Sequence, residues 1–275
     1  MTHMTDSGST MQGAPPCADL LAGRTGLVLG VSRRESVGYH CVRDLKAMGA
    51  SVAFTQRPAR ASLGVEIARE LNVLRVPMDV LEEDSVREAF DVVASQKGQL
   101  DFLVHCLVHV PAGSLDRPVF ELSKQDFAAA MEVGVRSLLM TTRYALPLLR
   151  RSGAPRIVAL FSAGGEFAIR NYHLVGIVKG ALATAMRYLA MDLGPLGVLC
   201  NGVSFPMLET EAAERVLNKD VVAQTRSYQS KRSMTRTPAT FESVTNAVGF
   251  LVSQNCQNLT GEILNVDGGY CRSYF

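Results

Sequence analysis

Tyr172 and Lys179 stand seven residues apart in YHLVGIVKGALATAMRYLAMDL, a stretch whose apolar spacing predicts a helix. At about 100° per residue, seven steps return to within roughly 20° of the starting direction, two turns along. A phenol and an ammonium are therefore expected to line one wall. A fixed cation stabilises the phenolate that proton donation leaves behind, which makes the phenol a better donor to an oxygen that is becoming negative. Beside a nicotinamide the pair would serve hydride transfer. Without one, the same residues would be a half-buried helix aromatic and a solvated lysine, so the surrounding elements decide.

Those elements form an alternation. Residues 1–20 (MTHMTDSGSTMQGAPPCADL) are rich in Ser, Thr, Gly and Pro without periodicity and predict a flexible arm. From Gly23 onward GLVLGV, SVAFT, VLRVPM and LDFLVHCL read as strands, separated by the helical stretches SVGYHCVRDLKAMGA, SLGVEIARELN and EDSVREAFDVVAS. A capping pattern at Ser123 to Asp126 opens a long helix through FAAAMEVGVRSLLMTTRYALPLL. RIVALFS and VLCNGV are the fifth and sixth strands, on either side of the Tyr172 helix. Thr240 is expected to cap FESVTNAVGFLVS, and GEILNVDGG supplies the last strand. This order predicts one α/β domain over residues 21–275: a single doubly wound parallel sheet of Rossmann type, about seven strands with helices on both faces, binding ligands at the carboxyl ends of the strands. The polar segment 204–238 breaks the rhythm after the sixth strand, and its length predicts a substrate-binding lid.

Composition excludes several other classes. The chain has 275 residues, 47% apolar and 20% charged, enough for an ample core without metal or disulfide. The net charge is +2, with no long basic run and no tryptophan, so nucleic acid is not an expected partner. The six cysteines (Cys17, Cys41, Cys106, Cys200, Cys256, Cys271) are scattered, without metal-like pairs, and read as thiols in a reducing cytosol. His105 and His109 flank a strand end without a third ligand and are expected to pack rather than to bind metal. With no run of about 18 apolar residues and no leader pattern, neither a membrane span nor export is expected, and the location read from the sequence is cytoplasmic.

The turn after the first strand, Gly30-Val31-Ser-Arg-Arg-Glu-Ser36-Val37-Gly38, has the glycine and helix start that a pyrophosphate needs, though it does not fit G-x-G-x-x-G. At the end of the second strand, Gln56 and Arg57 are followed by Arg60, and no carboxylate is present to take a ribose 2′-hydroxyl. Two arginines there favour NADPH over NADH. Asp79, after the third strand, is placed either to meet an adenine edge or to cap a turn.

Taken together these residues resemble the short-chain dehydrogenase/reductase superfamily, and within it the enoyl-acyl carrier protein reductase branch, from about Gly23 to Gly269. The resemblance rests on Gly30-x5-Ser36-Val37, on Asn171 before the tyrosine, on Tyr172-x6-Lys179 where most of the superfamily has Tyr-x3-Lys, and on NVDGG near the end. It implies that Gly30, Val31, Ser36 and Val37 hold the pyrophosphate, Asp79 and Val80 the adenine, and Lys179 the nicotinamide ribose. Cys106 would border the nicotinamide, and Leu208 and Thr210 would grip the carboxamide and phosphates. Val108, Val110, Tyr172 and Met207 would face the substrate, an acyl thioester on acyl carrier protein or coenzyme A. Hydride would pass to its β-carbon while Tyr172 bonds the carbonyl oxygen. A homotetramer is likewise implied.

Departures from the branch lie near the substrate. Cys106-Leu107-Val108 replaces Ser-Ile-Gly, Ser204-Phe205-Pro206-Met207 replaces Ser-Ala-Gly-Pro, Arg170 replaces a proline, and Ser162 stands where a second aromatic is usual. Added bulk is expected to redirect the substrate toward a branched, cyclic or polyketide acyl chain of a specialised pathway. Two alternatives stand beside this. Ser162 could donate to a carbonyl in a ketoreductase or alcohol dehydrogenase, although Glu132 occupies the place of the asparagine those enzymes use. A non-catalytic NADP-binding sensor is the other.

Overall fold

The computed structural model describes residues 19–210, 213–214 and 219–273. Its strands are β1 (Thr25–Leu29), β2 (Ser51–Gln56), β3 (Leu74–Pro77), β4 (Phe102–His105), β5 (Arg156–Ser162), β6 (Leu199–Phe205) and β7 (Ile263–Asn265). The helices are α1 (Val37–Ala47), α2 (Ala61–Leu71), α3 (Glu83–Lys97), α4 (Lys124–Met131), α5 (Ser137–Leu149), α6 (His173–Leu193), α7 (Lys219–Arg232) and α8 (Phe241–Val252). All seven strands pair in parallel, in the order β3-β2-β1-β4-β5-β6-β7. The order reverses between β1 and β4, and the crevice outside their carboxyl ends is where such sheets bind ligands.

Alternation along each strand divides the core into two layers. Leu27, Leu29, Leu103, Ile157, Ala159 and Phe161 face α3, α5 and α6. Val28, Phe102, Val104, Val158 and Leu160 face α1, α2 and α8. Both expected caps form: the Ser123 hydroxyl accepts from Asp126 N at 3.0 Å, and Thr240 accepts from Ser243 N at 3.1 Å. α6 is long and apolar enough by composition to cross a membrane, but here it packs on the sheet through Leu182, Met186, Ala190 and Leu193, while Leu174 and Val178 near its start pack with Leu115 and Ala130.

Two expectations are revised and a third gains detail. The arm expected over residues 1–20 lies outside the described residues up to 18, but its end is anchored: Leu20 packs on the core and Leu21 N donates to Met48 O at 2.8 Å. The long helix after β4 is interrupted by a π-helical turn, Glu132–Arg136, between α4 and α5. The segment 204–238, expected to be a lid, carries α7 among its described residues, held by Gln229, whose Oε1 accepts from Met207 N at 3.0 Å.

One contact in the central pair is tight. Gly26 on β1 is in register with Phe102 on β4, and a Cβ at Gly26 would fall 1.9 Å from the Phe102 ring. The aromatic fills the space that glycine vacates. Gly26→Ala is expected to destabilise the fold by about 1–3 kcal/mol through overpacking, whereas Gly153→Ala, with open space around it, is expected to stay within about 0.5 kcal/mol. Paired urea titrations check this, and equal midpoints for the two variants would refute it.

Candidate active site at the carboxyl ends of the strands

Gly30 leaves β1 with φ +86°, and a Cβ there would meet Leu107 Cδ2 at 2.6 Å. Only glycine satisfies both the left-handed backbone and that approach. The turn is tied to β2: Gly30 N donates to Thr55 Oγ1 at 3.3 Å and Val31 N to Thr55 O at 3.1 Å. Ser36 caps α1, accepting from Tyr39 N at 3.2 Å and donating to Arg33 O at 2.6 Å, and Val37 opens the helix. Gly38 lies with its Cα against the Gly30 carbonyl, close enough that a Cβ would sit at 3.3 Å. A glycine turn running into a helix N-terminus at the switch point suits a dinucleotide pyrophosphate by shape and by dipole.

The neighbouring strand ends divide in their roles. Arg57 is exposed, and its charge reaches His109 across the loop after β4, where burial and then Arg57 push the imidazole pKa down. The Gln56 amide is not offered to the crevice as expected. It is buried, its Oε1 accepts from Arg75 Nε at 3.3 Å, and it packs on Gly64 of α2. Asp79 caps its own turn, accepting from Leu81 N at 3.1 Å, and Val80 is buried in the core.

β4 brings Cys106 beside the glycine turn, where Cys106 N donates to Leu29 O at 3.2 Å. Val108, two residues further on, is 44% exposed. Val110 instead packs with Tyr172, Leu174, Val175 and Val178 beneath the loop. On the far side Leu208 is buried, and Thr210 caps the next turn through Ala213 N at 3.1 Å. Glu209 pairs with Arg226 of α7.

Tyr172 and Lys179 converge on the end of β5. Tyr172 is not inside the helix, as the spacing predicts, but is its N-cap residue with φ −135° and ψ 7°, preceded by Asn171 at φ 56°. Its hydroxyl donates to Ser162 Oγ at 3.2 Å, and Lys179 Nζ donates to Leu160 O at 2.7 Å. Burial pushes the Tyr172 pKa up, which the Ser162 hydrogen bond partly opposes, so the phenol is neutral and a donor near pH 7. Lys179 is 8% exposed, and its pKa is pushed down to about 8 by burial.

Several contributors carry no signal in spacing. The pair Gly164-Gly165 after β5 lets α6 approach: a Cβ at Gly164 would strike the Tyr172 ring at 2.4 Å, and one at Gly165 would strike the Lys179 backbone at 3.1 Å. Gly176 meets the Gly164 carbonyl, and Gly134 in the π-turn meets Val178. His105, expected to pack, does so fully buried, with Nε2 2.7 Å from Ser137 Oγ and its pKa pushed down to about 3 by burial and by Lys179. The glycine doublet is the one signal the sequence offered. Among the described residues no group of His, Cys, Asp or Glu is arranged to hold a metal.

A family model described as enoyl-(acyl carrier protein) reductase matches residues 30–271, which span the site from Gly30 to Thr210. The chain belongs to this family. Within it, an enoyl-acyl-carrier-protein reductase (NADH) of Enterococcus faecalis is 34% identical over 243 residues, covering 88% of this chain and 95% of the relative. One from Aquifex aeolicus is 32% identical, covering 91% and 92%. The crystal structure of the Anaplasma phagocytophilum reductase in complex with NAD superposes with a TM-score of 0.88 at 27% identity, over 95% of this chain and 99% of that one. A Bacillus cereus reductase with NADP+ and indole naphthyridinone gives 0.86 at 28%, over 92% and 98%. The fold of this reductase-family chain is thus that of the short-chain dehydrogenase/reductase superfamily, and the protein is a nicotinamide-dependent oxidoreductase.

The buried ammonium gives a pH test. Its folded pKa of about 8 lies below its ordinary value of 10.5, so between those values the unfolded chain binds more protons and stability rises with pH. Relative to Lys179→Met, wild type is expected to gain about 2 kcal/mol between pH 7 and roughly 9.5. Urea titrations of both proteins measure the difference, and a pH-independent difference would mean that the ammonium is solvated.

Proposed function

We propose that the protein reduces the carbon–carbon double bond of an enoyl thioester carried on acyl carrier protein or coenzyme A. The observation that carries this reading is the convergence of the Tyr172 phenol and the Lys179 ammonium on the end of β5, beside the crevice formed by Gly30 and Cys106. Gly30, Ser36 and Val37 would hold the dinucleotide, with Asp79 and Val80 beyond them. When bound, the nicotinamide supplies the hydride. Tyr172 donates to the thioester carbonyl as it gains enolate character, and a preorganised neutral donor stabilises that charge more than it stabilises the ground state. Lys179, fixed by Leu160 O, would orient the ribose. α7, latched through Gln229 and Arg226, is the proposed lid.

The relatives are named for NADH, which supports NADH as donor. Arg57 and the lack of a carboxylate between residues 54 and 60 support acceptance of NADPH as well. Arg57→Ala is expected to raise KM for NADPH about tenfold, the loss of one charge-assisted contact, and to leave KM for NADH within about twofold. Equal effects on both would remove Arg57 from the 2′-phosphate.

The exposed Val108, where the family pattern has glycine, supports a branched, cyclic or polyketide acyl chain as cargo. A homotetramer through α4, α5 and α6 is supported by their exposed Phe127, Leu139, Ile177, Tyr188 and Met191.

The hydrogen bond from Tyr172 to Ser162 favours one second reading, a ketoreductase in which both hydroxyls serve the carbonyl. NADH and NADPH oxidation with enoyl and β-keto thioester panels separates the two. Tyr172→Phe is expected to lower enoyl-dependent turnover by about 10²–10³. Ser162→Ala is expected to leave it within about tenfold. Activity with β-keto substrates alone, abolished by Ser162→Ala, would replace the enoyl reading.

A further inference from the structure

α6 starts without a side-chain cap: Tyr172, at the N-cap position, accepts no hydrogen bond from the first-turn amides. Helix ends left in that state are the first parts of a helix to open. The chain leading into α6 gives little support, since residues 166–171 are all exposed and Asn171 is left-handed. The phenol's own bond to Ser162 is neutral and, at 3.2 Å, long for two hydroxyls. His173, the first helical residue, reaches out of this junction. Its Nε2 lies 2.9 Å from Arg117 O, a carbonyl 56 residues earlier in the chain. A carbonyl only accepts, so Nε2 carries the proton and donates it. Nδ1 is buried without a partner, which leaves the bond to Arg117 as the ring's one hydrogen bond among the described residues.

The loop that receives this bond is braced from within. Ser114 is fully buried, and its amide and hydroxyl both donate to Pro111 O, at 3.2 and 2.8 Å, while Asp116 N donates to Gly113 O at 3.3 Å. Leu115 enters a small apolar cluster with Ala130, Leu174, Val175 and Val178, and Val110 and Tyr172 pack against it. The tyrosine and the loop after β4 therefore share a core apart from the two layers on the sheet. Apolar packing has no direction and lets a loop and a helix slide, whereas a hydrogen bond fixes where they meet. We propose that His173 is a positioning residue for Tyr172: its Nε2–H, bound to Arg117 O, pins the start of α6 to the loop after β4 and keeps the phenol aimed at the end of β5. In this role it acts through Tyr172 and needs no contact with substrate or dinucleotide. Its effect on turnover rests on the proposed function, while the pinning does not.

The test compares full-length wild type with His173→Leu and His173→Gln, by amide hydrogen exchange without ligand and by steady-state oxidation of NADH with crotonyl-coenzyme A. Leucine fills the place of the ring without a donor, and glutamine carries an N–H at about the reach of Nε2. His173→Asn, whose amide stops short, takes the place of leucine should that variant not fold. In His173→Leu, exchange is expected to be about fivefold faster in peptides covering 110–118 and 172–178, the equivalent of one neutral hydrogen bond. Its kcat is expected to fall about tenfold while KM for NADH stays within about twofold. His173→Gln is expected to lie within about twofold of wild type in all three quantities. Unchanged exchange in both segments of His173→Leu overturns the pinning, and so does a glutamine variant that loosens as much as the leucine one. Local loosening with an unchanged kcat, or with KM for NADH rising in step with the fall in kcat, overturns the positioning of Tyr172. Failure of wild type to oxidise NADH or NADPH with any enoyl thioester would count against the proposed function instead, with hydrogen exchange still deciding the pinning.

Discussion

The buried ammonium of Lys179 is the constraint on which the rest of the site depends. A charge removed from water costs several kcal/mol unless polar groups replace its hydration. Here its hydrogen bond goes to a neutral backbone carbonyl, Leu160 O, and the group that acts on it electrostatically is the Cys106 thiol and not a carboxylate. A salt bridge would hold the charge more cheaply but would occupy the ammonium. Leaving it underpaired preserves a donor for a polar ligand, the pattern of perturbed groups at functional sites. It also requires its neighbours to stay neutral, and His105, held near pKa 3 by burial and by Lys179 itself, complies.

That geometry is obtained by removing side chains. α6 reaches the end of β5 only because Gly164, Gly165 and Gly176 present bare backbone at the contact, and because Gly134 makes room for Val178 on the opposite flank. Gly134 lies in the π-turn between α4 and α5, and such a turn inserts an extra residue that re-aims everything after it. Ser137, the first residue beyond, is thereby placed to meet His105 and to donate to Val133 O at 2.6 Å. Tyr172 is fixed by a different device. With Asn171 in the left-handed region and Tyr172 at the N-cap, the chain bends before the helix begins, and the ring lies across Gly164 toward Ser162.

How far these features can be read from sequence depends on whether they are local. The order of strands, the caps at Ser123 and Thr240 and the glycine turn at residue 30 are set by periodicity and by short-range hydrogen bonds, so the alternation alone reveals the sheet and its switch point. The phenol and ammonium were found by spacing, although for a reason only partly right: both side chains reach β5, but one from a helix and one from the bend before it. Gln56 shows the limit. As the residue after a strand it reads as a cleft residue, yet Gly64, eight positions on, opens a slot that its amide fills.

The departures from the family pattern can now be weighed by what they touch. Residues that would grip the dinucleotide are mostly held by backbone, which tolerates changes of side chain, whereas under the proposed function Ser162 and Val108 would present side chains to the substrate. Ser162 changes the resting state of Tyr172 most directly, since it accepts the phenol's proton in a neutral hydrogen bond worth about 1 kcal/mol net. A neutral carbonyl oxygen arriving there exchanges one neutral bond for another and gains little. As negative charge accumulates on that oxygen, the same phenol makes a charge-assisted bond roughly twice as strong. Ser162 thus offsets ground-state binding without offsetting the charged state, and a difference of that kind appears in turnover and not in substrate affinity.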